Sequence, residues 1–207
     1  MTTSILTRLR HWLAPPKPAV PEPAPAWSDD RITDQGFASH FRYAADVVHE
    51  ALSPVCDPSA SSLLDFGCYD GITGLGLLLR HRWKQVIGVD IDPGFDALPR
   101  LAHEQIGLQR LPASLRFHRI APSESLAAVG RVEAIMSWSV FEHVDRKILD
   151  SVVAGFHSTL VPGGHCFVQI DPLYYSPLGS HLGRFAAQPW AHLRMAGEEL
   201  ERFVMAA

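Results

Sequence analysis

Three short segments of the chain hold the residue types and spacings that could do chemistry. The first is Asp65-Phe66-Gly67-Cys68-Tyr69-Asp70-Gly71, which closes an apolar run at 63–66 and is followed by Ile72, Leu75, Leu78 and Leu79 at helical spacing. Glycines after a strand let a ligand approach the backbone, because no Cβ stands in the way. The helix behind them turns its free amides and positive dipole end toward the same place. A carboxylate at Asp65 suits a positively charged ligand and would repel a pyrophosphate. The second segment is Gly88-Val89-Asp90-Ile91-Asp92-Pro93, in which Asp90 lies 23 residues beyond Gly67. An acid at that distance, ending the next parallel strand, is where both hydroxyls of a ribose are gripped by one carboxylate. The third is Ser137-Trp138-Ser139-Val140-Phe141-Glu142-His143. It offers hydroxyls, an indole face for a cation, and an imidazole for proton transfer.

The elements that must position these groups alternate along the chain. Strands are predicted at 63–66, 85–89, 115–120, 132–136 and 165–170, the third interrupted by Arg116, His118 and Arg119. Between them lie helical patterns, including Ile148, Leu149, Val152, Val153, Phe156 and Leu160, which stop at a turn predicted over Val161-Pro162-Gly163-Gly164. A helix carrying Phe37, Phe41, Ala45, Val48 and Leu52 precedes the first strand, and Phe37, His40 and Tyr43 could line the site or pack on the sheet. Five strands alternating with helices give an α/β, doubly wound Rossmann-like parallel sheet of order 3-2-1-4-5. Ligands then sit beyond the carboxyl ends of the first and fourth strands, at the switch point.

The dinucleotide fingerprint asks for glycines at the first, third and sixth positions, and counting from Gly67 gives Tyr69 and Ile72 instead. An NAD-linked oxidoreductase is therefore the weakest of three readings. With Asp65 favouring an ammonium and a sulfonium, the ligand indicated is S-adenosyl-L-methionine. Over 63–170 the chain resembles the class I S-adenosylmethionine-dependent methyltransferases. Their first motif is matched at Asp65, Gly67, Cys68 and Gly71, while Tyr69 stands where the family usually carries a small residue. The resemblance implies cofactor contacts from Asp65, Gly67, Cys68, Tyr69, Gly71, Asp90, Ile91, Ser137, Trp138 and Ser139. Ser123 and Glu124 stand near the place where the family often has an acid beside the adenine. The implied reaction is methyl transfer to a small-molecule or glycan-like acceptor. A base such as His143 or His181 would take the proton of a hydroxyl, although a Glu-His pair at this place also commonly just opens the next helix. A cofactor-binding or interaction protein with a degenerate form of this fold is the second reading, resting on Tyr69, the missing acid after the third strand and the short tail.

Composition sets the outer limits. A chain of 207 residues with formal charge -4, no basic run and 47% hydrophobic residues predicts one soluble domain and no nucleic-acid partner. Cys56, Cys68 and Cys166 are too few and scattered for a disulfide framework or zinc site. No histidines show metal-ligand spacing, so no metal is expected. The cytoplasm is the compartment expected. Residues 1–13 read as a short amphipathic helix or tail able to touch a membrane surface or partner, 14–29 as a proline-rich linker, and 30–207 as the methyltransferase-like domain. In 171–207 no strand pair is legible. The family's last antiparallel strands are thus expected to be missing, as in a C-terminally incomplete domain. Tyr174, Tyr175 and His181 fall in a loop on the substrate side, and a helix is predicted at 193–204.

Overall fold

The computed structural model describes residues 26–179, 182, 185 and 188–206. The terminal helix, most of the proline-rich linker and His181 therefore lie outside the described residues. Strands β1 (Ser62–Phe66), β2 (Gln85–Asp90), β3 (Leu115–Arg119), β4 (Val132–Trp138) and β5 (Leu160–Gln169) form one parallel sheet in the order β3-β2-β1-β4-β5. Helix α1 spans 35–52 as three continuous pieces, Gln35–Ala38, a π-helical turn Ser39–Ala44, and Ala45–Leu52. Helices α2 (Ile72–His81), α3 (Leu98–Ile106) and α4 (Leu149–Thr159) follow β1, β2 and β4. No helix among the described residues is long and apolar enough to cross a membrane.

Side chains of a strand alternate between its two faces, and the central strands are apolar on both because both are covered. Leu63, Val86, Ala134 and Met136 join the core under α1, α2 and α3, together with Phe41, Leu75, Trp83 and Leu98. Leu64, Ile87, Val89, Val132 and Ile135 point the other way, into a smaller core closed by Val152 and Phe156 of α4. Leu63, Leu64, Ile135 and Met136 are fully buried, and each such side chain contributes about 1.5–3 kcal/mol over an exposed one. The sheet is therefore held hardest at β1 and β4, whose ends carry the glycine loop and the Ser-Trp-Ser segment.

Two expectations are corrected. Residues Pro162-Gly163-Gly164 do not stop the chain before β5 but lie inside it: Val132 pairs with Leu160 and Ala134 with His165, so an irregularity absorbs the residues between. Proline lacks a donor but is tolerated on an edge strand at a bulge, which is where β5 lies. That strand is half-exposed, with Cys166 and Val168 open to solvent. The tail helix is split in two, α5 (Ala191–Arg194) and α6 (Gly197–Met205), because Met195 and Ala196 are extended before Gly197. No sixth or seventh strand occurs among the described residues.

Helix α1 rests on α2 with no side chain between them at Gly76. A methyl there would run into the carbonyl oxygen of Phe41 and stand 2.9 Å from the Cβ of Ala45. Gly76→Ala should therefore lower stability by about 1–3 kcal/mol through overpacking, read as a fall of about 2–4 °C in thermal midpoint per kcal/mol. An unchanged midpoint would show that α1 is free to lift from α2.

Candidate active site

The loop after β1 is built from left-handed backbone. Gly67 and Gly71 have φ of 77° and 71°, which glycine adopts without a steric penalty. Each is also crowded: a Cβ on Gly67 would collide with Val140, and one on Gly71 with Phe117. Tyr69, between them, has φ of 41°. Its N–H donates to Asp90 Oδ2 at 2.7 Å, and the other oxygen, Oδ1, accepts from Asp92 N–H at 2.8 Å. The N–H groups of Gly67 and Cys68 both donate to the Val89 carbonyl, at 2.8 and 3.1 Å. The ends of β1 and β2 are thus stitched together, which fixes Asp90 beside the loop.

Beyond these ends opens a cavity of about 950 Å³. Of the residues singled out in the sequence, it is lined by Asp65, Gly67, Cys68, Tyr69, Asp90, Ile91, Ser123, Glu124, Trp138, Ser139 and His143. Gly71 forms the turn into α2 and Ser137 is fully buried in β4, with its Oγ unpartnered; neither lines the cavity. Of the α1 candidates only His40 faces it. Phe37 is in the core, stacked on Phe41, and Tyr43 packs edge-on to Trp138 with ring centres 6.0 Å apart. His143 lies in a separate turn, Phe141–His143, well before α4 starts at Leu149, so it does not open that helix.

Asp65 is 3% exposed, and burial pushes its carboxyl well above the usual carboxylate range, with Asp70 and Asp90 adding to the effect. The charged groups bearing on it are both acids. The Cys68 thiol is pushed up by burial first and by Asp65 and Asp90 next, so it is a neutral packing group and not a nucleophile. Ser139 donates its hydroxyl to Gln169 Oε1 at 2.8 Å, and Glu124 accepts the Ala121 N–H at 2.6 Å within its own turn. No group of three or more metal-ligating side chains is gathered among the described residues.

The sequence reading passed over Asp70 and Thr73 as lining residues, though both stand in or just behind the glycine loop. It also passed over the far wall, where Leu126, Ile148, Ser151, Gly155 and Ser158 extend the cavity along α4. Nothing in their spacing separates that wall from an ordinary helix face.

Residues 37–203 match the family model described as Methyltransferase domain. The chain is similar to the solved structure of coclaurine N-methyltransferase bound to N-methylheliamine and SAH, with 15% identity over 62% of this chain and 35% of that one and a TM-score of 0.50. It is similar too to SAM-bound CalS10, an amino pentose methyltransferase from Micromonospora echinaspora, with 22% identity over 65% and 50% of the chains and a TM-score of 0.46. A third is the glycopeptide N-methyltransferase MtfA complexed with sinefungin, with 17% identity over 58% and 50% and a TM-score of 0.46. At 15% identity the likeness to the first of these speaks to the fold alone, and the match spans between 35% and 50% of the length of these three proteins. No curated protein matches the chain.

Burying Asp65 among acids gives a sign-definite consequence. A carboxyl whose folded pKa is raised stabilises the fold below its unfolded pKa and loses that contribution as pH rises through the folded value. Asp65→Asn should therefore raise the thermal midpoint of the ligand-free protein near pH 7 by a few degrees, with the gain vanishing toward pH 4. A lower midpoint at pH 7 would show that the carboxylate is satisfied in the fold and not held for a ligand.

Proposed function

The chain belongs to the methyltransferase-domain family, and from that premise we propose that it transfers the methyl group of S-adenosyl-L-methionine to a small-molecule or glycan-like acceptor. The observation that carries this reading is the pairing of Asp65, a buried acid faced only by acids, with Asp90 at the end of β2, in one cavity. The donor set fits the cofactor. Asp65 offers its charge to an ammonium, the left-handed loop brings the backbone of Gly67 to the cavity wall, and Asp90 has lone pairs left for the two ribose hydroxyls after accepting two N–H groups. Five acids, Asp65, Asp70, Asp90, Glu124 and Asp145, line the cavity and would repel the pyrophosphate of a dinucleotide.

When bound, the cofactor supplies an electrophilic methyl on a sulfonium. What the protein adds is alignment, the main contribution to an in-line transfer. The cavity lies near the upper end of the range of about 300–1,000 Å³ seen for small-molecule sites, which leaves room for an acceptor beside the cofactor. We assign that acceptor to the end bounded by Trp138, Ser139 and His143, with His143 as the base where a hydroxyl must lose its proton.

Titration calorimetry with S-adenosylmethionine, S-adenosylhomocysteine and NAD tests the reading: the first two should bind and NAD should not, and binding of NAD alone would overturn it. Asp90→Ala removes the ribose acceptor and should cost about 2–4 kcal/mol of S-adenosylhomocysteine affinity, roughly 30-fold to 1,000-fold in Kd. An unchanged Kd would place the ribose elsewhere.

A further inference from the structure

The cavity has a charge inventory that methyl transfer by itself leaves unexplained. Against its five acids the lining sets two groups able to carry positive charge, His40 and His143, and no lysine or arginine. An amino-acid ligand brings a carboxylate as well as an ammonium, and in so acidic a pocket the carboxylate needs a cation. The two groups hang from the same carbon, so their partners must be neighbours. If Asp65 takes the ammonium, the cation must stand on its side of the cavity.

His40 stands there. A Cβ on Gly74 would lie 3.5 Å from Asp65 Oδ2, and the preceding residue, Thr73, places its Oγ1 3.2 Å from His40 Nδ1. Thr73 is 6% exposed and lines the cavity with His40, while the other ring nitrogen, Nε2, has no hydrogen-bond partner among the described residues. His143, by contrast, stands after β4 in the turn that follows Val140. The backbone that carries His40 is the π-helical turn Ser39–Ala44, an irregularity often found at functional sites. It is pinned on both sides of His40's position: Phe37 before it is buried in the core, and after it Phe41 is fully buried with its carbonyl over Gly76 and Tyr43 packs on Trp138.

We propose that His40, as an imidazolium steadied by Thr73, holds the carboxylate of the methionine portion of the cofactor, on the same side of the cavity as Asp65. This rests on the methyltransferase reading above. The titratable groups that line the cavity from the elements beside His40 are Asp65 on β1 and Asp70 in the loop, while Tyr43, on His40's own helix, is turned to Trp138. Arg80 and His81, further along α2, are engaged with Asp46, at 2.8 and 2.7 Å.

The experiment compares wild type, His40→Gln and Thr73→Val by titration calorimetry with S-adenosylhomocysteine from pH 5.5 to 8.5. In parallel it uses methylthioadenosine, which has the adenosine but neither the carboxylate nor the α-amine of the amino-acid portion. Glutamine keeps a hydrogen-bonding side chain but cannot titrate. The ratio of the two Kd values, His40→Gln over wild type, should be about tenfold at pH 5.5, the size expected for a charge-assisted hydrogen bond. It should close toward one by pH 8.5, where an imidazole is neutral. Thr73→Val should give a smaller ratio of the same sign, and both variants should bind methylthioadenosine as wild type does. Taking the ratio cancels the titration of Asp65 and of the ligand's amine. A ratio that is flat with pH, or an equal loss of methylthioadenosine, would overturn the proposal while leaving the methyltransferase reading in place. Failure of wild type to bind either ligand at any pH would remove both.

Discussion

The arrangement depends on how β1 and β2 are joined beyond their last ladder pair. Parallel strands leave the sheet side by side, and here both chains would diverge at once toward the helices that follow. They are held instead by the Val89 carbonyl, which takes the N–H groups of Gly67 and Cys68, and by the Asp90 carboxylate, which takes those of Tyr69 and Asp92. Hydrogen bonds to a carboxylate are about twice as strong as neutral ones. The backbone of the loop is consequently set by the same group that faces the cavity, so the shape of the pocket floor and the recognition chemistry of its rim cannot vary independently.

The electrostatics of this floor run against the stability of the empty protein. Asp65 is buried on the central strand among acids, where charge is disfavoured. Acids at a site that must receive a cation are a familiar exchange of stability for binding. The hydrophobic layers compensate at some distance: the core beneath α1 to α3 includes Leu63 and Leu75, both fully buried, directly beside the strand end that carries the acid. On this view the strength of packing around β1 is set by what the site at its end must hold.

The sequence was readable wherever a periodicity or a single chemical type decided the structure. Strands β1, β2 and β4 are largely apolar runs, β3 keeps Leu115 and Phe117 alternating with Arg116 and His118, and Asp65 and Asp90 follow from their places at strand ends, so these were legible within a residue or two. Strand β5 was not fully legible, because Pro162-Gly163-Gly164 has the composition of a turn, and only edge position and a pairing irregularity make it strand. The π-helical turn in α1 was invisible for another reason: Phe41 and Ala45 are apolar in either kind of helix, so the pattern carries no mark of the changed bonding. Ser137 shows the limit for a strand covered on both faces, since period two cannot say which small polar residue turns into the core and which toward a ligand. The wall along α4 depends on what does not cover it, and an absence of neighbours leaves no trace in local sequence.

Tyr69 is the sharpest departure from the family pattern, and the structure gives it a physical account. A left-handed conformation costs an ordinary residue about 1–2 kcal/mol, which would oppose a loop shaped for glycine. Two features offset that cost. Its N–H is bound by Asp90 at 2.7 Å, and its ring lies over Gly94, where an added Cβ would stand 2.9 Å from the ring edge. Gly94 opens the turn Gly94–Ala97 after β2, so the bulk accepted at one loop is matched by bulk missing from the other. The backbone path between Gly67 and Gly71 is kept. What changes is the rim: a phenol ring, 60% exposed, stands at the cavity's edge where the family's small residue would leave open space. The departure therefore leaves the backbone of the floor as it is and places its added bulk at the rim of the cavity.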